Sequence, residues 1–152
     1  EIIMPGAFDN ADLSDVRALF NHDPNKILAR SKNGTLELSI DDKGLRFRFD
    51  APNTTAGNDL IESLTRGDID QASFAFTIKS ETWRIEGDQD KELRQLDEFE
   101  TVYDIAPVTY PAYEQTTTYV DAEARSSLNR WKEEHSPGFD NVKHWQNYLQ
   151  TV

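Results

Sequence analysis

The sequence predicts a mainly β domain with flanking helices, of the α+β class, over residues 1–120, followed by a helical tail over residues 121–152. Two observations predict this division. Apolar and polar residues alternate with a period of two over residues 27–49 and 93–103, which is typical of half-buried strands. Beyond residue 120 the apolar residues are spaced three and four apart among many charges, which is typical of amphipathic helices.

The first predicted element of the β domain is a helix over residues 9–19. Asn10 or Asp12 can act as its N-cap, and its apolar side chains follow helical spacing. The Asn-His-Asp-Pro sequence at residues 21–24 ends this pattern, because a residue before proline is disfavoured in the α region. His22 is thereby expected at or just before an element boundary.

The alternation that follows predicts three strands in a meander over residues 27–49, with turns at residues 33–34 and 41–44. A helix is expected over residues 56–66, because residues 53–55 offer a cap and Gly67 is a stop signal. Further strands are predicted at residues 71–78, 82–85, 93–103 and 105–111. The last of these is expected as an edge or bulged strand, since its prolines cannot donate to a central ladder.

The tail is predicted to hold two short amphipathic helices, separated by Ser-Pro-Gly at residues 136–138. Isolated helices of this length are marginal in water, so they must dock on the domain, on a partner subunit or on another protein. The composition does not choose among these partners.

Composition restricts the classes of function. The chain has 16 Lys and Arg against 28 Asp and Glu, a net charge of −12, which argues against nucleic acid and anionic membranes as partners and suits basic segments of a partner protein. It has no cysteine, which excludes a disulfide scaffold, a thiolate zinc site and a cysteine nucleophile. The three histidines lie far apart, and we expect neither a metal nor a cofactor.

Two residues are candidates for chemistry. A lone histidine such as His22 is more often a surface or capping residue than a catalyst, but its Pro-terminated loop at the end of an apolar stretch can hold an imidazole in one tautomer. Ser73 lies in a strand whose alternation allows a solvated face, yet its small neighbours Ala72 and Ala75 leave room for a peptide to approach. A serine needs an imidazole to take its proton and a third group to orient that imidazole.

Asp104 is the leading candidate for that third group, since it is a carboxylate inside an otherwise apolar strand, where carboxylates are rarely buried without a partner. Asp23 is the alternative, although a residue adjacent to His22 in sequence usually points elsewhere. Paired carboxylates for glycoside hydrolysis stay open on composition, but no spacing favours them.

Four blocks of sequence, in order, resemble the HK97-type prohead maturation proteases of tailed bacteriophages. They are Met-Pro-Gly-Ala-Phe at residues 4–8, Leu-Phe-Asn-His-Asp at 19–23 with Ile-Leu-Ala-Arg at 27–30 behind it, Ala-Ser-Phe-Ala-Phe at 72–76, and the stretch from Tyr103 to Tyr113. The resemblance covers about residues 2–120. It implies a serine endopeptidase related to the herpesvirus assembly proteases, with an antiparallel β-barrel flanked by helices.

The same resemblance implies roles for three residues: Ser73 as nucleophile, His22 as general base and Asp104 as the acid of the triad. The family usually has Glu in place of Asp104 and often has Gly in place of Ala75. Family members usually begin with a strand or hairpin upstream of residues 4–8, so the barrel is expected to be short of a strand. The sequence starts within an apolar run and without Met, so it is expected to be a fragment or a processed product.

The implied function is cleavage of capsid or scaffold protein, and of the protease itself, inside the assembling prohead in the cytoplasm of the bacterial host. With this function, the tail is expected to be a docking, dimerisation or packaging segment, through which a homo-oligomer can form. The alternative is a non-catalytic acidic scaffold or capsid-binding module, in which Ser73 is inert.

Overall fold

The computed structural model describes residues 1–86 and 91–120. The chain divides into two units, Glu1–Tyr119 and Val120–Val152. The predicted tail helices, within residues 121–152, lie outside the described residues. Among the described residues, the first unit contains seven strands, one α-helix and a 3₁₀ helix, Ser31–Asn33. The strands and helix are β1 (Ile2–Ile3), β2 (Arg17–Phe20), β3 (Asp23–Arg30), β4 (Leu36–Asp41), β5 (Gly44–Phe49), α1 (Thr55–Arg66), β6 (Gln71–Glu86) and β7 (Lys91–Val108).

A five-stranded sheet is built around the long strand β7. Strand β6 pairs antiparallel with one edge of β7, while β1 and β2 pair parallel with the other edge. Strand β3 then pairs antiparallel with β2. In the part of the chain that the structure describes, β6 and β3 are the outer strands and do not pair with each other, so the mainly β prediction is confirmed but the closed barrel is not found.

The hairpin predicted within residues 27–49 is present as β4 and β5, which form a separate two-stranded sheet from Leu36↔Phe49 to Asp41↔Gly44. The predicted three-strand meander is wrong, because β3 pairs with β2 and not with β4. Between β3 and β4 the chain makes a 3₁₀ helix that ends at Gly34 with φ 77°. This turn directs the chain away from β3, so that β4 pairs with β5 in a separate sheet.

The predicted helix is confirmed as α1. The Thr54 hydroxyl accepts a hydrogen bond from the Gly57 amide at 3.2 Å, and Gly67 ends the helix in the left-handed region with φ 80°. Leu60 is buried with 1% exposure, so the helix packs its apolar face on the sheet side of the domain. Gly57 allows close approach of the preceding loop, since a Cβ there would lie 2.0 Å from the Pro52 carbonyl oxygen.

The helix predicted over residues 9–19 is wrong. Residues there form turns, an isolated bridge between Asp12 and Thr101, and then strand β2. The Asp12 amide donates to the Glu100 carbonyl at 2.8 Å, so pairing with the long strand β7 replaces the local helical hydrogen bonds. Val16 and Ala18 are both fully buried, which reveals a period of two where the sequence pattern suggested helical spacing.

The four strands predicted within residues 71–111 are two long strands, β6 and β7, in the structure. Pro107 lies near the end of β7, so residues 105–108 are not the separate edge or bulged strand that was predicted, although β6 is the one strand paired with β7 at this point of the described sheet. Pro107 has no amide hydrogen, and this is tolerated because the pair Ala72↔Pro107 exchanges no backbone hydrogen bonds. The Ala72 amide points away from β7 and donates to the Thr116 hydroxyl instead. The parallel pairing of β2 has also ended by this point, at Ala18↔Ile105.

An aromatic cluster fills one face of this ladder. The Phe76 and Phe99 rings lie 4.4 Å apart between centroids, Phe8 lies 4.7 Å from Phe99, and Phe74 joins them at 5.6 Å from Phe99. Phe99 has no exposed surface. Because successive residues of a strand point to opposite faces, Phe74 in the core leaves its neighbour Ser73 on the other face.

Candidate active site

The register of β6 and β7 places Ser73 and Asp104 on one face of the sheet. Ser73 pairs with Ala106, and Ala75 pairs with Asp104. Directly paired residues share a face, so all four side chains project to the same side. Ser73 and Asp104 are diagonal neighbours, a relation that puts Cα atoms about 7–8 Å apart. Ser73 is buried, with 7% of its surface exposed.

A β-bulge lies directly beside Asp104. Ala75 pairs with Asp104 but the next residue, Phe76, pairs with Val102, so Tyr103 is an extra residue in β7. A bulge bends its strand and re-aims the adjacent side chains. The extra residue, Tyr103, therefore lies directly beside Asp104 and is 48% exposed.

His22 lies in a tight hairpin turn and not at the end of a helix. Asn21 and His22 connect β2 to β3, and both have positive φ, 54° and 57°. Two consecutive left-handed residues in a two-residue hairpin are the signature of a type I′ turn, whose second position favours glycine. A histidine there costs about 1–2 kcal/mol in backbone energy, so the surrounding contacts must hold it.

The strongest of these contacts joins His22 to Asp104. The His22 Nδ1 lies 2.5 Å from Asp104 Oδ1, although the residues are 82 positions apart in sequence. The histidine side chain is 36% exposed and the carboxylate 15% exposed. An ionised carboxylate only accepts hydrogen bonds, so a neutral imidazole in this contact has its proton on Nδ1 and a lone pair on Nε2 that can accept one.

Asn21 fixes the turn to β7. Its backbone amide donates to the Pro107 carbonyl at 3.0 Å, and its side-chain Oδ1 accepts the Thr109 amide at 2.9 Å. These bonds lie three and five residues beyond Asp104 along the chain. Asn21 was not among the candidates from sequence. A two-residue Asn-X hairpin would have revealed it, but the absence of glycine after Asn21 hides that signal.

The structure brings His22 to Asp104 and not to Asp23. The Asp23 Oδ1 accepts hydrogen bonds from the Asn25 amide at 2.9 Å and from the Asn25 side chain at 3.1 Å. These bonds, led by the backbone amide, hold the pKa of Asp23 below its usual value. Asp23 is therefore engaged within its own hairpin.

In the part of the chain that the structure describes, Ser73 and His22 do not form a hydrogen bond with each other. The serine is placed by the sheet, and the histidine by the turn and by Asp104. Catalytic hydrogen bonds are often long without substrate and tighten when it binds. The arrangement thus supplies an oriented imidazole and a serine on one face of neighbouring strands.

The segment after β7 returns along the outer edge of β6. The Thr116 hydroxyl accepts the Ala72 amide at 3.2 Å, and the Thr118 amide donates to the Asp70 carbonyl at 2.8 Å. The Tyr113 ring stacks on Phe74 with centroids 6.0 Å apart. Burial, followed by a hydrogen bond to the Glu1 carboxylate, raises the pKa of the Tyr113 hydroxyl. This segment covers the edge of β6 up to the residue before Ser73.

Other features lie away from these residues. A depression lined by Trp83, Arg84, Ile85 and Glu92 is at the opposite end of β6 from Ser73. Within residues 1–86 and 91–120, no group of three His, Asp or Glu side chains could hold a metal ion. In the same residues, no helix is long and apolar enough to cross a membrane.

A carboxylate-oriented histidine beside a serine on a β-sheet fits the class of serine hydrolases. The chain belongs to the caudovirus prohead serine protease family, whose model matches residues 1–131 of 152. Membership implies serine peptidase activity directed at capsid or scaffold protein, in capsid maturation inside the assembling phage head. Comparison with curated proteins and with solved structures finds no match.

Proposed function

We propose that the protein is a serine endopeptidase that cleaves capsid or scaffold protein, and itself, during prohead maturation, with Ser73 as nucleophile, His22 as general base and Asp104 as the orienting acid. The observation that carries the proposal is the 2.5 Å contact between His22 and Asp104, across 82 residues of sequence, on the face of the sheet that also bears Ser73. Family membership supports the reaction class.

In the first half of the reaction, His22 Nε2 takes the Ser73 proton while the serine oxygen attacks the peptide carbonyl carbon. The imidazolium then gives this proton to the leaving amine as the C–N bond breaks, which leaves an acyl ester on Ser73. In the second half, water attacks the ester, its proton passes through His22 to the serine oxygen, and the acid product leaves. Asp104 stabilises the imidazolium and fixes its tautomer throughout.

The oxyanion donor is best sought at the outer edge of β6. The loop after α1 is already engaged, because the amides of Gly67, Asp68 and Ile69 donate to carbonyls of that helix. The Ala72 amide points away from β7, and Phe74, two residues on, directs its amide to the same edge. We assign the Phe74 amide, adjacent to the nucleophile, as an oxyanion donor. Removing one such donor typically costs about 10²–10³ in rate.

The same edge suits an extended substrate. The segment after β7 covers the outer edge of β6 only up to Ala72, so from Phe74 onward a peptide can add to this edge as a further strand. The net charge of −12 favours basic segments of capsid or scaffold protein. The enzyme acts inside the prohead in the host cytoplasm. Residues 121–152, which lie outside the described residues, serve as a docking, dimerisation or packaging segment.

The test is co-expression of the protein with the major capsid protein of its phage, followed by mass spectrometry of the products. Ser73→Ala should abolish cleavage of both proteins. Ser80→Ala is the matched control, since Ser80 is an exposed serine on the same strand. Continued processing in Ser73→Ala would favour the alternative of a non-catalytic acidic scaffold or capsid-binding module.

A further inference from the structure

We infer that Asn21 is a positioning residue, which holds the His22 imidazole against Asp104 and within reach of Ser73. The inference rests on the proposed function and adds to it a residue that touches neither the substrate nor the reacting atoms. Three observations carry it: the φ of 54° at Asn21, its amide bond to Pro107 and its side-chain bond from Thr109.

The Asn21 side chain supplies a hydrogen-bond acceptor that a longer strand β2 would otherwise supply. Strand β2 pairs with β7 at Arg17↔Asp104 and Ala18↔Ile105, and the chain then turns away at Asn21. The Pro107 carbonyl still receives the Asn21 amide, but the Thr109 amide has lost the backbone carbonyl that a continuing β2 would offer. The Asn21 Oδ1 takes that place at 2.9 Å. The hairpin tip is thus anchored by both the backbone amide and the side chain of Asn21, to Pro107 and to Thr109.

The residue type matters at this position. Asparagine tolerates the left-handed region better than most residues, because its short side chain can bond locally. Glycine also accepts this φ but offers no acceptor for the Thr109 amide. Aspartate offers both properties. Exchanging Asn21 for each of these therefore separates the backbone requirement of the turn from the side-chain anchor.

Loss of the anchor should act on His22. The His22 backbone also lies in the left-handed region, and among the described residues its ring makes one side-chain hydrogen bond, to Asp104. A hairpin tip released from Thr109 can swing about β2, which moves the imidazole relative to a serine that the sheet holds fixed. A misplacement of about 1 Å can cost about 10²-fold in rate.

The test uses a fluorophosphonate probe on the full chain. The serine oxygen forms a bond to phosphorus as the P–F bond breaks, the serine proton passes to His22, and fluoride leaves. Peptide mass spectrometry locates the label, and its rate is followed against probe concentration. Asn21→Gly should lower the maximal rate about 10²-fold while the half-saturating concentration and the thermal midpoint stay unchanged. Asn21→Asp should restore most of the rate.

Asn25→Ala is the control, since Asn25 lies exposed in the same hairpin and its side chain bonds only to Asp23 among the described residues. It should label at the wild-type rate. Equal maximal rates for wild type and Asn21→Gly would overturn the inference and leave the proposed function intact. Equal losses in Asn21→Gly and Asn21→Asp would also overturn it. Absence of label on Ser73 in the wild type would instead refute the proposed function.

Discussion

Replacing Asp104 by asparagine tests the orientation of His22 with almost no change of shape. The carboxylate accepts a hydrogen bond from His22 Nδ1, which lies 2.5 Å from Asp104 Oδ1. The amide of Asp104→Asn can donate to Nδ1, which favours the tautomer with the proton on Nε2. That tautomer cannot take the serine proton, so the general base is lost although the ring stays in place.

The expected loss is about 10⁴ in turnover, the scale seen when a triad acid is changed to its amide. At about 1.36 kcal/mol per tenfold, this is about 5.4 kcal/mol of transition-state stabilisation. Stability should change little, because the Asp104 side chain makes its described hydrogen bond to a partly exposed histidine. A change of about 1 kcal/mol in unfolding free energy corresponds to a thermal shift of about 2–4 °C for a domain of this size.

The assay is the rate of capsid-protein cleavage together with the rate of fluorophosphonate labelling at Ser73, and differential scanning calorimetry supplies the thermal midpoint. Asp97→Asn is the matched control, since Asp97 lies on the same strand and bonds to the Thr82 hydroxyl at 2.6 Å, away from His22. Turnover of Asp104→Asn within tenfold of the wild type would refute the orienting role of Asp104.

Three further predictions concern stability. The hydrogen bonds from Arg30 lower the pKa of Asp15 from 3.8 to about 2, so Asp15 stabilises the fold above pH 4 and loses this effect as the pH falls towards 2. The thermal midpoints of wild type and Asp15→Asn should therefore differ at pH 6 and converge near pH 2, and a difference that stays constant with pH would contradict the ion pair. Phe99→Ala should cost about 3–5 kcal/mol in urea unfolding, against less than about 0.5 kcal/mol for the exposed control Tyr110→Ala. Gly57→Ala should also destabilise the protein, since its Cβ would lie 2.0 Å from a backbone oxygen of the preceding loop; an unchanged urea midpoint would show that this loop moves freely.

Sequence predicted the elements whose signals are local. Helix α1 was predictable because Thr54 and Gly67 mark its ends, and the β4–β5 hairpin because its alternation flanks a short polar turn. Residues 9–19 were not, because their conformation is set by hydrogen bonds to β7 about 90 residues away, such as that from the Asp12 amide to Glu100. A local helical pattern carries no information about such a partner.

The site shows the same division. Ser73, His22 and Asp104 were predicted from residue types and from the family resemblance. The structure shows the contact between His22 and Asp104, and the roles of the three residues stay a proposal. The element that carries His22 was predicted wrongly, since its turn lacks the glycine that usually marks a type I′ hairpin. Asn21 was missed for the same reason. Its importance depends on Pro107 and Thr109, which no local pattern connects to it.

The residues around the turn also bear on the choice between an enzyme and an inert scaffold. A hairpin that served structure alone would gain stability from glycine in place of His22, because the left-handed region is free of cost for glycine. It would likewise gain from an apolar residue in place of Asp104, whose carboxylate is 15% exposed beside the buried Ile105. The chain departs from local preference at both positions, and the two departures meet in one 2.5 Å contact. Features that cost stability and converge in space are expected where a protein performs chemistry, and a binding surface built on net acidity requires neither of them.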